Sequence, residues 1–298
     1  MLRRAAIGEV RFMKLVVTLF WALAAATLLS VTVTGAEAQT KDWKTIRIGT
    51  EGAYAPWNYS EAGGKLAGFE IDLANELCKR MKAECTIVAQ DWDGIIPALQ
   101  ASKYDVIMAA MNITDKRLET INFSSVYAAA PASFAVLKSS PLAKMPGTGE
   151  VYPLATKAAE AQKAIDATKP MLKGKVVGAQ VSTTNLAFVA KYYKDQVDIR
   201  SYKTTEQHDL DLTAGRLDAA FAAVTYWNDV IAKPEGKDIV IVGPAFSGDI
   251  LGRGVAAGIR KEDTALKEKF DEAIKSGLDD GTIKALSIKW FKVDITPK

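Results

Sequence analysis

Ile46-Arg-Ile-Gly-Thr50 alternates apolar and polar positions, and that period of two predicts a first strand. From Phe69 to Met81 the period changes. Ile71, Ala74, Leu77, Cys78 and Met81 recur at spacings of three and four, the stripe of a helix that buries one face. Between them, Glu51-Gly-Ala-Tyr-Ala-Pro-Trp57 reads as a loop punctuated by Gly52 and Pro56. Cys85–Ala89 is a second strand, Trp92–Ala101 a helix distorted by Pro97, and Asp105–Ala109 a third strand. This order predicts a parallel sheet with helices on both faces.

Ile121–Ser124 and Ser133–Leu137 read as extended, and a crossing between lobes is expected near Ser133–Lys138. After a Ser-, Pro- and Gly-rich stretch, Pro153–Thr168 is Ala-rich and expected to be helical. A second βα series follows. Its strands are Lys175–Ala179, Val197–Tyr202 and Asp218–Ala222, and its helices are Thr183–Tyr193, Thr205–Gly215 and Tyr226–Ala232. Strands at Asp238–Val242 and Gly254–Ile259 precede two amphipathic helices, Glu262–Leu278 and Thr282–Trp290.

One pattern occurs twice. Leu99-Gln-Ala-Ser-Lys-Tyr-Asp105 and Leu212-Thr-Ala-Gly-Arg-Leu-Asp218 share their spacing: Leu, Ala two later, a small residue, a base, then an Asp that opens a strand. Either a common helix–strand junction has arisen twice, or two lobes share one design. In the second case the ends of strands 105–109 and 218–222 face a common cleft, because open α/β sheets bind ligands beyond the carboxyl ends of their strands.

The length of 298 residues fits about two domains. Residues 1–38 read as a leader: Arg3, Arg4, Arg11 and Lys14, an apolar run from Leu15 to Leu29, and a small-x-small cleavage site at Ala36-Glu37-Ala38. Met13 offers an alternative start. Removing this leader takes four basic and two acidic residues from totals of 38 and 35, which leaves a net charge of +1. That balance, without a basic stripe, argues against a nucleic-acid footprint. Cys78 and Cys85 are the only cysteines and, in an exported chain, are expected to pair. Two Cys and one His without CxxC or HExxH spacing do not make a zinc shell, so no metal and no cofactor is expected.

The candidate chemistry lies at the strand ends. Arg117 follows the cap candidates Thr114 and Asp115, in the first turn of a helix where a cation is badly placed. It is either solvated or the clamp for an anion. Glu51 is either a loop acid in water or a carboxylate aimed at a cationic group. Trp57 reads as core. Tyr54 and Trp92 are core or ligand walls, and a planar cation on Trp92 would gain roughly 0.5–2 kcal/mol. Ala109, Ala110 and Asn112 allow close backbone approach. Ser182, Thr183 and Thr184 open a helix and cap it, hold a carboxylate, or do both. His208 has no nucleophile partner and reads as a surface or hydrogen-bonded His.

Taken together, Gly68-Phe-Glu-Ile-Asp-Leu73, Ile113-Thr-Asp-Lys-Arg117 and Asp211-Leu-Thr-Ala-Gly-Arg-Leu-Asp218 resemble the periplasmic polar-amino-acid-binding proteins of ABC importers. The stretches 51–58, 146–172 and 282–294 are most similar to the octopine- and nopaline-binding group. The resemblance implies an α/β, two-lobed type II binding-protein fold, each lobe a mainly parallel sheet flanked by helices, joined by two hinge crossovers. Lobe one would be 39–133 plus 250–298, and lobe two 134–249. It implies that Arg117 holds the ligand carboxylate, with Ser182, Thr183 and Thr184 helping from the other lobe. Trp92 would be an aromatic wall, and Glu51 would read a distal cation. It further implies a periplasmic monomer that hands an opine or basic amino acid to an inner-membrane permease, without catalysis. The alternatives are a dehydratase-like enzyme or a ligand-sensing module on the same fold. Two positions depart from the family pattern. Val181 replaces a usual Gly. Ala223 stands where an Asp or Asn usually holds the ligand ammonium, so Tyr226 or Asn228 is expected to compensate.

Overall fold

The computed structural model describes residues 41–297; the expected leader, 1–38, lies outside the described residues. β1, Thr45–Thr50, buries Ile46 and Ile48 and leaves Arg47 exposed, as its alternation requires. The stretch expected as plain loop contains β2, Ala53–Tyr54, which forms a small antiparallel sheet with β3, Asn58–Ser60, and β4, Leu66–Ala67. Strands of two or three residues are too short to show a period. α1, Phe69–Met81, matches its apolar stripe and stops at Lys82, which takes a left-handed conformation. β5, Glu84–Ala89, follows, and a Cys78–Cys85 disulfide fastens it to the end of α1.

Trp92–Gly94 is a 3-10 turn that leads into α2, Ile95–Gln100. Pro97 is the third residue of α2, where the missing N–H would have had no intrahelical partner. β6, Val106–Ile107, the single turn α3, Asp115–Leu118, and β7, Asn122–Phe123, complete this part.

β8, Ala132–Leu137, and β9, Val151–Pro153, open the second sheet. Pro153 therefore ends a strand, and the Ala-rich helix, α4, runs over Ala158–Leu172 instead of 153–168. The reason is local: the Pro153 carbonyl accepts from Thr156 and Lys157 N–H groups, a turn that delays the helix. Then come β10, Val176–Gln180; α5, Thr184–Tyr193; β11, Asp198–Tyr202; α6, Thr205–Thr213; β12, Ala219–Ala223; α7, Val224–Ile231; and β13, Ile239–Ser247. β14, Gly258–Ile259, returns to the first sheet, and α8, Thr264–Asp279, and α9, Thr282–Phe291, pack on α1.

The protein is thus a two-lobed α/β type II fold with two mixed sheets, β5-β1-β6-β14-β7 and β11-β10-β12-β8-β13-β9. In each, three parallel strands (β5-β1-β6 and β11-β10-β12) adjoin antiparallel ones. One core packs Trp57, Phe69 and Phe291 against one another, and the other packs Phe134, Phe188, Phe221 and Phe246. Burying each such ring contributes roughly 1.5–3 kcal/mol.

The repeated motif is one design used twice. The Asp105 amide donates to the Arg47 carbonyl at 2.8 Å, and its carboxylate accepts from the Arg47 amide at 3.0 Å. Asp218 does the same with Val176, at 3.0 Å and 2.9 Å. Two residues after Arg47 and Val176 respectively, Gly49 lies against Tyr104 and Gly178 against Leu217, the residues just before each Asp. A Cβ on either glycine would come within 2.7 Å of that neighbour. Counting on, Glu51 and Gln180 occupy equivalent places.

Candidate functional site

The strand ends of both sheets border one cavity, lined from both lobes. Glu51 enters it from the end of β1, Gln180 from β10 and Ala223 from β12. Ala109, Ala110, Asn112 and Arg117 come from the segment after β6, and Thr183, Thr184 and Asn185 from the start of α5.

Arg117 turns into this cavity. Thr114 caps α3 by accepting the Arg117 amide at 3.2 Å, so this turn offers the cavity its guanidinium. The guanidinium donates to the Asn112 carbonyl at 2.7 Å and, across the lobes, to the Ser182 carbonyl at 3.2 Å. It lies 5.3 Å from the centre of the Trp92 ring. No carboxylate among the described residues reaches it. Burial pulls its pKa down to about 10, which leaves it cationic at neutral pH.

Glu51 is buried and accepts from Gln180 Nε2 at 2.6 Å, a contact between the two lobes. Burial pushes its pKa up to about 7; the Gln180 bond opposes this, while Glu70 and Asp91 add to it. No Lys or Arg among the described residues pairs with it. The cavity thus holds an unpaired cation and an unpaired carboxyl. Burying such groups is costly unless something completes them.

Tyr54 stacks on Tyr226 at 5.0 Å with an interplanar angle of 9°. Trp57 is core, as expected, but it also borders the cavity and donates to Thr225 Oγ1 at 3.1 Å. Trp92 is buried beneath Arg117, with its Nε1–H unbonded.

The α5 tip is more self-contained than expected. Thr183 caps α5 by accepting from Leu186 N at 3.1 Å, and its hydroxyl donates to the Gln180 carbonyl at 2.6 Å. Its hydroxyl is therefore engaged. Ser182 does not line the cavity; it takes a left-handed conformation (φ 58°) and offers Arg117 its carbonyl. Val181 needs no glycine-like conformation, because the left-handed residue is Ser182 and the Val181 amide extends the sheet to the Tyr202 carbonyl.

Ala223 lines the cavity with no polar atom on its side chain. The expected substitutes do not reach it. The Tyr226 hydroxyl is bonded to Asp209 beside a separate groove, and Asn228 is exposed. His208 is fully buried rather than at the surface, packed among Tyr202, Tyr226 and Trp227, with Nδ1 2.9 Å from Asp209 Oδ1. It lies outside the cavity.

Sequence reasoning missed Gln180 and Asn185, and also Ala130, Ala132, Leu251 and Val255. Gln180 was findable, since the twofold motif maps it onto Glu51. The four apolar residues carry no sequence signal.

The chain is similar to known proteins over most of its length. The family model for bacterial extracellular solute-binding proteins, family 3, matches residues 46–293. The octopine-binding periplasmic protein of Rhizobium meliloti is 54% identical over 85% of this chain and 92% of its own length. The histidine-binding periplasmic protein of Salmonella typhimurium is 37% identical over 84% and 88%. A solved ancestral arginine-binding protein bound to arginine superposes with a TM-score of 0.70 at 30% identity, over 83% of this chain and 98% of that one.

Proposed function

Because the chain belongs to the bacterial extracellular solute-binding proteins of family 3, we propose that it is the periplasmic ligand-capturing component of an ABC importer for an octopine-like opine or a basic amino acid. The observation that carries this reading is the pair of uncompensated groups in one interlobe cavity. Arg117 takes a carboxylate, with Trp92 behind it. Glu51 takes a guanidinium or ammonium, with Gln180 beside it. A ligand with a carboxylate and a cationic group completes both, and octopine has these together with a second carboxylate. The absence of an acid at Ala223 favours a ligand with a secondary amine over a plain α-amino acid, because less depends on that contact.

Capture works by closure. Only the closed form lets both lobes touch the ligand, so binding shifts the population toward it; periplasmic binding proteins are a standard example of this motion. The lobe limits proposed are 39–133 plus 250–298 and 134–249. Sheet membership supports them, since one sheet draws its strands from 45–123 and 258–259 and the other from 132–247. The partner is an inner-membrane permease.

A thermal-shift screen with octopine, nopaline, arginine, lysine, ornithine and histidine, followed by calorimetry on the hits, tests this, since bound ligand raises apparent stability. Octopine or arginine is expected to give the largest shift, and no response to any of the six would sink the reading. Glu51, with its pKa near 7, also suits a general acid. Product analysis after long incubation with each hit separates binding from turnover, and recovery of unchanged ligand is expected.

A further inference from the structure

Glu70 is fully buried in α1, away from the cavity lining, yet it joins the segments that build the cavity. Asn58 Nδ2 donates to its Oε2 at 2.7 Å, the Ala110 amide donates to both oxygens at 2.8 and 2.9 Å, and the Tyr127 hydroxyl donates to Oε1. The Asn58 amide is fixed in orientation, because its Oδ1 accepts from the Gly52 N–H at 2.8 Å. Three donors therefore converge on Glu70 and favour its ionised form, against the upward push that burial gives its pKa.

The Ala110 contact matters most. Ala110 holds a left-handed conformation (φ 49°) that a residue with a side chain keeps only when its surroundings enforce it. In a planar trans peptide the N–H and the preceding C=O point in opposite directions. With the Ala110 N–H drawn back into the lobe by Glu70, the Ala109 carbonyl is turned toward the cavity that Ala109 lines. That carbonyl accepts no hydrogen bond from any described residue. It is a free acceptor beside a cavity whose Ala223 brings no acid.

We propose that Glu70 is the positioning residue for the ligand's amine. It locks the Ala109–Ala110 peptide with its carbonyl facing the ligand, and it supplies from behind the wall the negative charge that Ala223 lacks. This rests on the solute-binding reading above and names what reads the amine.

The test uses L-arginine and 5-guanidinopentanoate, which keeps the carboxylate and guanidinium of arginine but has no amine. Calorimetry is run on the wild type and on Glu70→Gln, which keeps the shape and removes the charge. Arginine affinity is expected to fall about tenfold or more in the variant, the scale of a lost charge-assisted contact, while 5-guanidinopentanoate stays within about threefold. Equal losses for both ligands would make Glu70 a purely structural hub and overturn the proposal, as would unchanged arginine affinity. A wild type that binds neither compound nor any of the other five ligands of the screen overturns the solute-binding reading itself. If Glu70→Gln does not fold, the carbonyl carbon shift of Ala109 in the wild type decides. It is expected to move with arginine and stay with 5-guanidinopentanoate, and the same response to both overturns the proposal.

Discussion

Arg117 contributes little to the fold, with two bonds to carbonyls and one ring contact. Arg117→Ala is therefore expected to fold normally and to lose tenfold or more in ligand affinity, the scale of one charge-assisted bond. Calorimetry with octopine or arginine beside a thermal melt checks both halves. Glu51 predicts a pH dependence. Its folded pKa is raised to about 7, so in the free protein its contribution to stability is fully present below the usual carboxyl range and is lost as pH rises through about 7. A cationic ligand needs the ionised form, so its affinity runs the other way. Between pH 6 and pH 8, affinity for arginine is expected to rise about tenfold, and Glu51→Gln is expected to flatten that slope. At this scale Arg117 and Glu51 were legible because a charge at a strand end or a helix start stands out. Asn185 was not, because a polar residue in a helix's first turn looks like any other.

Among the elements, the segment from α1 to β5 shows how far patterning goes. α1 was legible to the residue because thirteen positions sample more than three turns of one period. The β2–β4 hairpins and the start of α4 were not. The former are too short to repeat, and the latter depends on a turn at Pro153 that propensity does not reveal. The Cys78–Cys85 bridge closes a loop with a separation of seven residues. Replacing both with Ala is expected to lower stability by about 2–3 kcal/mol on the loop-entropy estimate. Urea titration with and without the bridge measures it, and ligand affinity should survive at temperatures where the variant remains folded.

For the whole molecule, the contacts between the lobes at the cleft include Glu51 with Gln180, Arg117 with Ser182, Trp57 with Thr225, and Tyr54 on Tyr226. Two lobes and a shared cleft were legible from the repeat of Leu99–Asp105 in Leu212–Asp218. The hinge-side apolar lining was not, since Ala130, Ala132 and Val255 acquire their role only through chain crossing.

That repeat leaves the binding charge on one side by what amounts to an exchange of a single oxygen for nitrogen, carboxylate on the first lobe and carboxamide on the second. The choice is held locally, since Gln180 Nε2 also donates to the Lys203 carbonyl at 3.0 Å, a bond a carboxylate there would lose. A doubly exchanged protein, Glu51→Gln with Gln180→Glu, is expected to keep measurable arginine affinity by calorimetry, whereas Glu51→Gln alone loses it. The handedness of the molecule's chemistry would then be a property of two interchangeable seats rather than of either half.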